Sequence, residues 1–147
     1  MSHMMANFLG TFARRREYCR ALLALAERQI ELVKENDFSG LLELLARKQR
    51  VLGQLDQLTQ SNQQLWEQWR LHRDQLSAEE REACYAVLEE SEQILAEVLR
   101  QERLGAELLT AKRDETQRRL EQVSQGLQAN EAYNERPSTH RHLDLNR

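Results

Sequence analysis

Proline and glycine are nearly missing from this chain, with one Pro and five Gly among 147 residues. So few breakers leave long stretches in which nothing interrupts a helix. Aromatics make up only 5%, and Val, Ile and Thr are scarce, so a sheet would lack the residues that stabilise one. No apolar run approaches the ~18 residues that a membrane span needs. The N-terminus has no apolar h-region of a signal peptide. The net charge of -3 gives no electrostatic case for nucleic acid or an anionic membrane surface. Cys19 and Cys84 form no metal motif, and without an export signal they read as reduced thiols of a cytoplasmic protein. There is no Gly-rich phosphate loop, no nucleophile with a nearby base in sequence and no CxxC. The ExxH spacing of a di-iron bundle is missing too, since Trp69 stands three residues before His72. The chain reads as a non-enzyme with no cofactor and no metal site.

What is present suits long amphipathic helices. Leu, Glu, Gln, Arg and Ala dominate, charged residues reach 31%, and such straight-chain residues lose little side-chain entropy in a helix. The fold class that follows is all-α: an antiparallel three-helix bundle or coiled coil with long helices and a flexible C-terminal tail. "MSHM" resembles a cloning scar, so residues 1–6 are expected to be disordered. The first helix is expected over about 7–35, with Phe8, Phe12, Cys19, Leu22, Ala26, Ile30 and Val33 on one stripe. "NDFSG" then makes a tight connection. Asn36 suits a helix C-terminus, Asp37 or Ser39 supplies a capping oxygen, and so short a link makes neighbouring helices antiparallel.

The second helix is expected over 38–72, with Phe38, Leu41, Leu42, Leu45, Leu52, Leu55, Trp66 and Trp69 on its stripe. Lys48, Thr59 and Asn62 occupy stripe positions and make that seam only partly dry. In "SAEE", Ser77 caps and Glu80 takes the reciprocal position of a capping box, which starts a third helix over about 78–128. Its first half is strongly amphipathic, from Cys84 and Val87 to Leu108 and Leu109. "KRDETQRR" (112–119) is nearly all polar, and Leu120, Val123 and Leu127 remain on a thin stripe beyond it. A helix that starts buried and ends thinly apolar projects from its bundle or waits for a partner. From Ala129 the pattern stops, and residues 129–147 are expected to be a flexible tail.

Several local features have ordinary explanations. Leu22, Leu23, Leu25 and Arg28 match Leu41, Leu42, Leu44 and Arg47, as two leucine-rich helices often do. Trp66 and Trp69 suit bundle packing, with a partner-binding hot spot as the sharper reading. The two cysteines fall on apolar stripes and read as small core residues. Arg14, Arg15, Arg16 and Arg20 make a basic patch, read as a solvated helix end rather than a phosphate site. His140 and His142 lack a third ligand for a metal.

A family resemblance rests on two segments. "LLALAERQIELVKENDFSGLLELLARKQRVLGQL" resembles the N-terminal half of FlgN-type flagellar export chaperones: a leucine-rich helix, a short polar turn with Asp, then a Leu-Leu segment (Leu41, Leu42) and a basic–Gln pair (Lys48, Gln49). "NEAYNERPSTHRHLDLNR" is similar to that family's C-terminal tail. The resemblance implies a bacterial cytoplasmic protein that binds helical termini of hook–filament junction proteins, prevents their premature assembly and delivers them to the export gate. It implies client binding at Leu108, Leu109, Leu120, Val123 and Leu127, by helix-in-groove recognition. Tyr133 resembles the tail tyrosine that docks such chaperones on the export-gate membrane protein, although Asn134 and Glu135 follow it here in place of a Gly-rich step. Direct membrane insertion and nucleic-acid binding are not expected, and the oligomeric state is monomer or homodimer. Two other readings share the helical build: a FliT-like or other type III secretion chaperone, and a structural coiled-coil spacer. The polar run 112–119 breaks the heptad seam that a spacer needs.

Overall fold

A computed structural model of the chain describes the backbone of residues 3–145 and the side chains of residues 3–134. The described residues contain helices and no strand: α1 (His3–Lys34), α2 (Phe38–Ser61), α3 (Gln63–His72), a 3-10 turn (Arg73–Gln75) and α4 (Ala78–Leu145). The chain divides into two units, residues 1–108 and 109–147.

The first unit is a three-helix bundle. Phe8 stacks edge-on to Trp69 and Phe12 packs on Trp66, while Gln29 meets Lys48 near the other end, so α1 runs antiparallel to α2 and α3. Met5 touches Cys84 and Arg15 pairs with Glu92, so α1 and the first part of α4 run parallel. The up-down-up arrangement follows from two short connections, each closed by local chemistry. At the first, Asn36 adopts φ 58°. Its N–H donates to the Val33 carbonyl (3.1 Å), and the Asp37 N–H donates to that of Leu32 (2.9 Å). This is the Schellman ending, in which a left-handed residue satisfies the last carbonyls of a helix. The Asp37 carboxylate then accepts from the Gly40 N–H at 2.9 Å and caps α2. At the second, Ser77 Oγ accepts from the Glu80 N–H (3.1 Å) and Glu80 accepts from the Ser77 N–H (3.4 Å), the reciprocal capping box.

The core at one end of the bundle joins Met5, Phe8, Phe12, Trp69, Leu76, Cys84 and Val87. Burying one such apolar side chain contributes roughly 1.5–3 kcal/mol. Near the hairpin, Leu32, Val33, Leu41 and Leu44 are buried in turn.

Four expectations need correction. The segment 1–6 is not disordered over its described part: α1 begins at His3, and Met5 is buried because it stands three residues before Phe8 on the same face. The second helix is not continuous. The Asn62 side-chain amide donates to the Leu58 carbonyl at 2.8 Å, and its N–H turns to Thr59 at 3.3 Å. Side-chain competition for backbone partners of this kind breaks a helix, so α2 and α3 separate there. Within α2, Leu44 is buried and Leu42 is 70% exposed, so the buried stripe passes through Leu41 and Leu44. Finally, α4 does not stop at 128. No Gly or Pro lies between Ala129 and Arg136, so nothing there forbids helical φ/ψ; the helical backbone also runs on past Pro137 to Leu145, for which the local sequence gives no reason. Residues 1, 2, 146 and 147 lie outside the described residues.

Candidate functional site

In the first unit the apolar and charged side chains mostly satisfy one another. Trp69 is buried edge-on against Phe8, Phe12 and Tyr85, with ring centroids 5.2–5.5 Å apart. Trp66 lies 4.9 Å from Phe12, with the Arg15 guanidinium 6.0 Å above its ring. Both tryptophans are therefore bundle packing. Cys19 and Cys84 are fully buried, and burial pushes both thiols above their ordinary pKa.

Most of the basic patch on α1 is taken up by α4. Arg15 pairs with Glu92 at 3.2 Å, Arg16 with Glu90 at 3.2 Å, and Arg20 also pairs with Glu90. The hydrogen bond from Arg20, with the charges of Arg20 and Arg16 behind it, holds the Glu90 carboxyl below the usual carboxylate range. Arg14 faces elsewhere. With Tyr18 it lines a polar cleft of about 310 Å³ opposite Gln54, Gln57 and Asn62. A further polar contact joins all three helices: Lys48 of α2 meets buried Gln29 of α1 (3.5 Å) and pairs with Glu102 of α4. The sequence marked Lys48 as an interruption of the stripe, but nothing local to it indicated partners on two other helices.

The second unit is a single helix through its described side chains, and beyond half-buried Leu109 its large apolar residues are exposed. Leu120, Val123 and Leu127 are 65%, 59% and 58% exposed. At ~100° per residue, these three and Leu109 fall within an arc of about 60°. Leu108 stands apart from them: it belongs to the first unit, is half-buried, and lies about 100° round the helix from Leu109. Tyr133 is 75% exposed, and it lies about 120° from Leu109 and Leu127 and about 80° from Val123. Polar side chains surround the stripe, tied by exposed pairs such as Arg119 with Glu115 at 2.6 Å and Gln117 with Glu121 at 3.5 Å. The side chains of His140, His142, Leu143 and Leu145 lie outside those described.

Among the described residues no group of acidic, His or Cys side chains is placed to hold a metal ion, and no helix is long and apolar enough to cross a membrane. The first unit is a bundle whose charges are largely paired, and the second presents the exposed apolar side chains of Leu120, Val123 and Leu127 on one helix face. The comparison with family models is specific: the model described as FlgN protein matches residues 4–141. The chain belongs to the FlgN family, a family of flagellar export chaperones. No curated protein and no solved structure matches the chain.

Proposed function

We propose that this chaperone acts in the bacterial cytoplasm on the hook–filament junction proteins, holding their helical terminal segments until export. The observation that carries this reading is the face of Leu120, Val123 and Leu127, all exposed on one side of the second unit's helix, with half-buried Leu109 in line with them. Junction subunits assemble through helical termini that would otherwise pair with one another. A reversible cover needs a few good apolar anchors and a modest contact area, not a nucleotide. Leu108 and Leu109, both half-buried, are less available than Leu120, Val123 and Leu127 and are assigned the smaller share of binding. Tyr133 is assigned to docking on the export-gate membrane protein. Its separation of about 80° from Val123 and about 120–140° from the rest of the apolar face leaves it accessible while a client helix is held. The tail beyond Asn134 belongs to the same docking segment.

Titration calorimetry tests the assignment, using the full chain and C-terminal helical segments of junction proteins from the same genome. The filament-cap protein's segment serves as control. Micromolar or tighter binding to junction segments, lost in Val123→Asp/Leu127→Asp, supports the reading. Binding to the cap segment alone moves the protein to the FliT-like class. Silence with every segment, together with a parallel dimer in solution scattering, replaces the chaperone mechanism with a structural spacer.

A further inference from the structure

The charges beside the apolar face are not evenly distributed. Taking Leu109 as the centre and ~100° per residue, Lys112, Arg113 and Arg119 fall within about 80° of it. The carboxylates of the same stretch, Asp114, Glu115 and Glu121, fall about 120–140° away. Glu131 returns to the near side, but one turn beyond Leu127. The N-terminal half of the face is therefore bordered by cations only, and its C-terminal end by an anion. Arg113 pairs with its neighbour Asp114 at 3.6 Å, and Arg119 with Glu115 at 2.6 Å. Both are exposed pairs, which contribute little and exchange readily for another carboxylate. Lys112 is half-buried and already engaged, so its charge adds to the local field without its contact being needed.

We propose that the occupant of this face is an amphipathic helix with acidic edges. Its apolar residues at i, i+3 and i+7 meet Leu120, Val123 and Leu127. Carboxylates at the neighbouring positions meet Arg113 and Arg119, and they concentrate at the end of the partner that lies away from Glu131. This inference rests on the client-binding reading of the face and adds the chemistry by which clients are chosen. Charge complementarity of this kind selects and orients a partner more than it tightens binding. A partner with basic edges would bring like charges together along the same apolar contact.

The test uses the full chain and two synthetic helical peptides that share one leucine triad, flanked by Glu in one and Lys in the other. Calorimetry is run at low and at raised salt. The Glu peptide is expected to bind at least about tenfold tighter at low salt, with the gap narrowing as salt screens it. Arg113→Glu/Arg119→Glu reverses the order of the two peptides. Arg113→Gln/Arg119→Gln, which adds no new charge, only narrows the gap, and circular dichroism checks that both variants keep their helix. Equal affinity for the two peptides, lost for both in Val123→Asp/Leu127→Asp, overturns the acidic-partner inference and leaves the docking face standing. Binding of neither peptide, or binding that survives that double substitution, overturns the docking face and the inference with it. A dimer in sedimentation equilibrium that Val123→Asp dissolves gives the face to a second copy and overturns the inference as well.

Discussion

Replacing Lys48 by methionine separates packing from charge at a place where polar groups join all three helices of the bundle. The Lys48 and Glu102 side chains are 18% and 29% exposed, so the pair stands between two known regimes. Breaking a fully buried pair costs about 3–5 kcal/mol, because one charge is left without compensation. A fully exposed pair contributes ~0–1 kcal/mol. Methionine keeps the apolar stem of lysine against its neighbours, so the loss at Lys48→Met falls mainly on the stranded Glu102 carboxylate and on Gln29. An intermediate cost of roughly 1–3 kcal/mol follows. Lys48→Met/Glu102→Leu removes both charges and fills the layer with apolar volume, so it returns to within about 1 kcal/mol of the parent, or exceeds it. Urea unfolding followed by circular dichroism reads the difference. With a slope of about 1–3 kcal/mol per molar urea, a 2 kcal/mol loss moves the midpoint by roughly 1 M. A single variant indistinguishable from the parent would show that water compensates the pair. A double variant less stable than Lys48→Met would refute the desolvation argument itself.

Three further outcomes are expected. Trp69→Ala removes a buried ring that touches three others, and urea unfolding should show a loss of about 3–5 kcal/mol; at exposed Leu71 the same truncation should cost no more than ~0.5 kcal/mol. Cys19 and Cys84, buried with thiols pushed up by that burial, should resist Ellman's reagent at neutral pH until denaturant is added, and rapid native labelling of either would contradict their placement. Glu97 is held down to about 2 by hydrogen bonds from Arg100 and then Gln101. Its folded carboxyl is depressed, so its contribution to stability is complete above the ordinary value of about 4.3 and fades as pH falls towards 2. A carboxyl NMR titration should find that low midpoint, and Arg100→Ala should raise it.

The parts of the fold that the sequence announced are those built from neighbours in the chain. The left-handed Asn36, the Asp37 cap and the Ser77–Glu80 box each satisfy backbone groups within a few residues, so their chemistry is visible in five letters of sequence. The break at Asn62 uses equally local bonds, yet Thr59 and Asn62 occur in unbroken helices too. What tips the balance is that α3 must aim Trp66 and Trp69 at Phe8 and Phe12, which is information from another helix. The choice of Leu44 over Leu42 is similar, because leucines occupy positions 41, 42, 44 and 45 and only the position of α1 decides which of them it covers. Arg15, Arg16 and Arg20 read as a basic patch because their partners, Glu90 and Glu92, lie 70 to 77 residues away. For the candidate site, the thin stripe and its uncovered state were legible. The one-sided placement of Arg113 and Arg119 was hidden inside a run that looked uniformly polar.

The division of labour along α4 makes the proposed client face open to clean dissection. In the first unit a buried apolar residue such as Phe12 or Trp69 is held by other residues, so truncating it changes stability and any binding together. In the second unit Leu120, Val123 and Leu127 touch little, and the helix there draws on propensity and on exposed pairs such as Arg119 with Glu115, each worth a few tenths of a kcal/mol. Leu120→Ala or Leu127→Ala therefore removes almost nothing from the folded chain and slightly raises helix propensity. Unfolding midpoints should stay within about 0.5 kcal/mol of the parent. A client helix that buries either leucine against an apolar partner would lose on the order of 1–2 kcal/mol of binding, roughly tenfold in affinity. Binding loss at constant stability identifies a contact surface. If the same substitutions lower the unfolding midpoint in proportion to the binding they remove, these leucines serve the fold and the client site lies elsewhere.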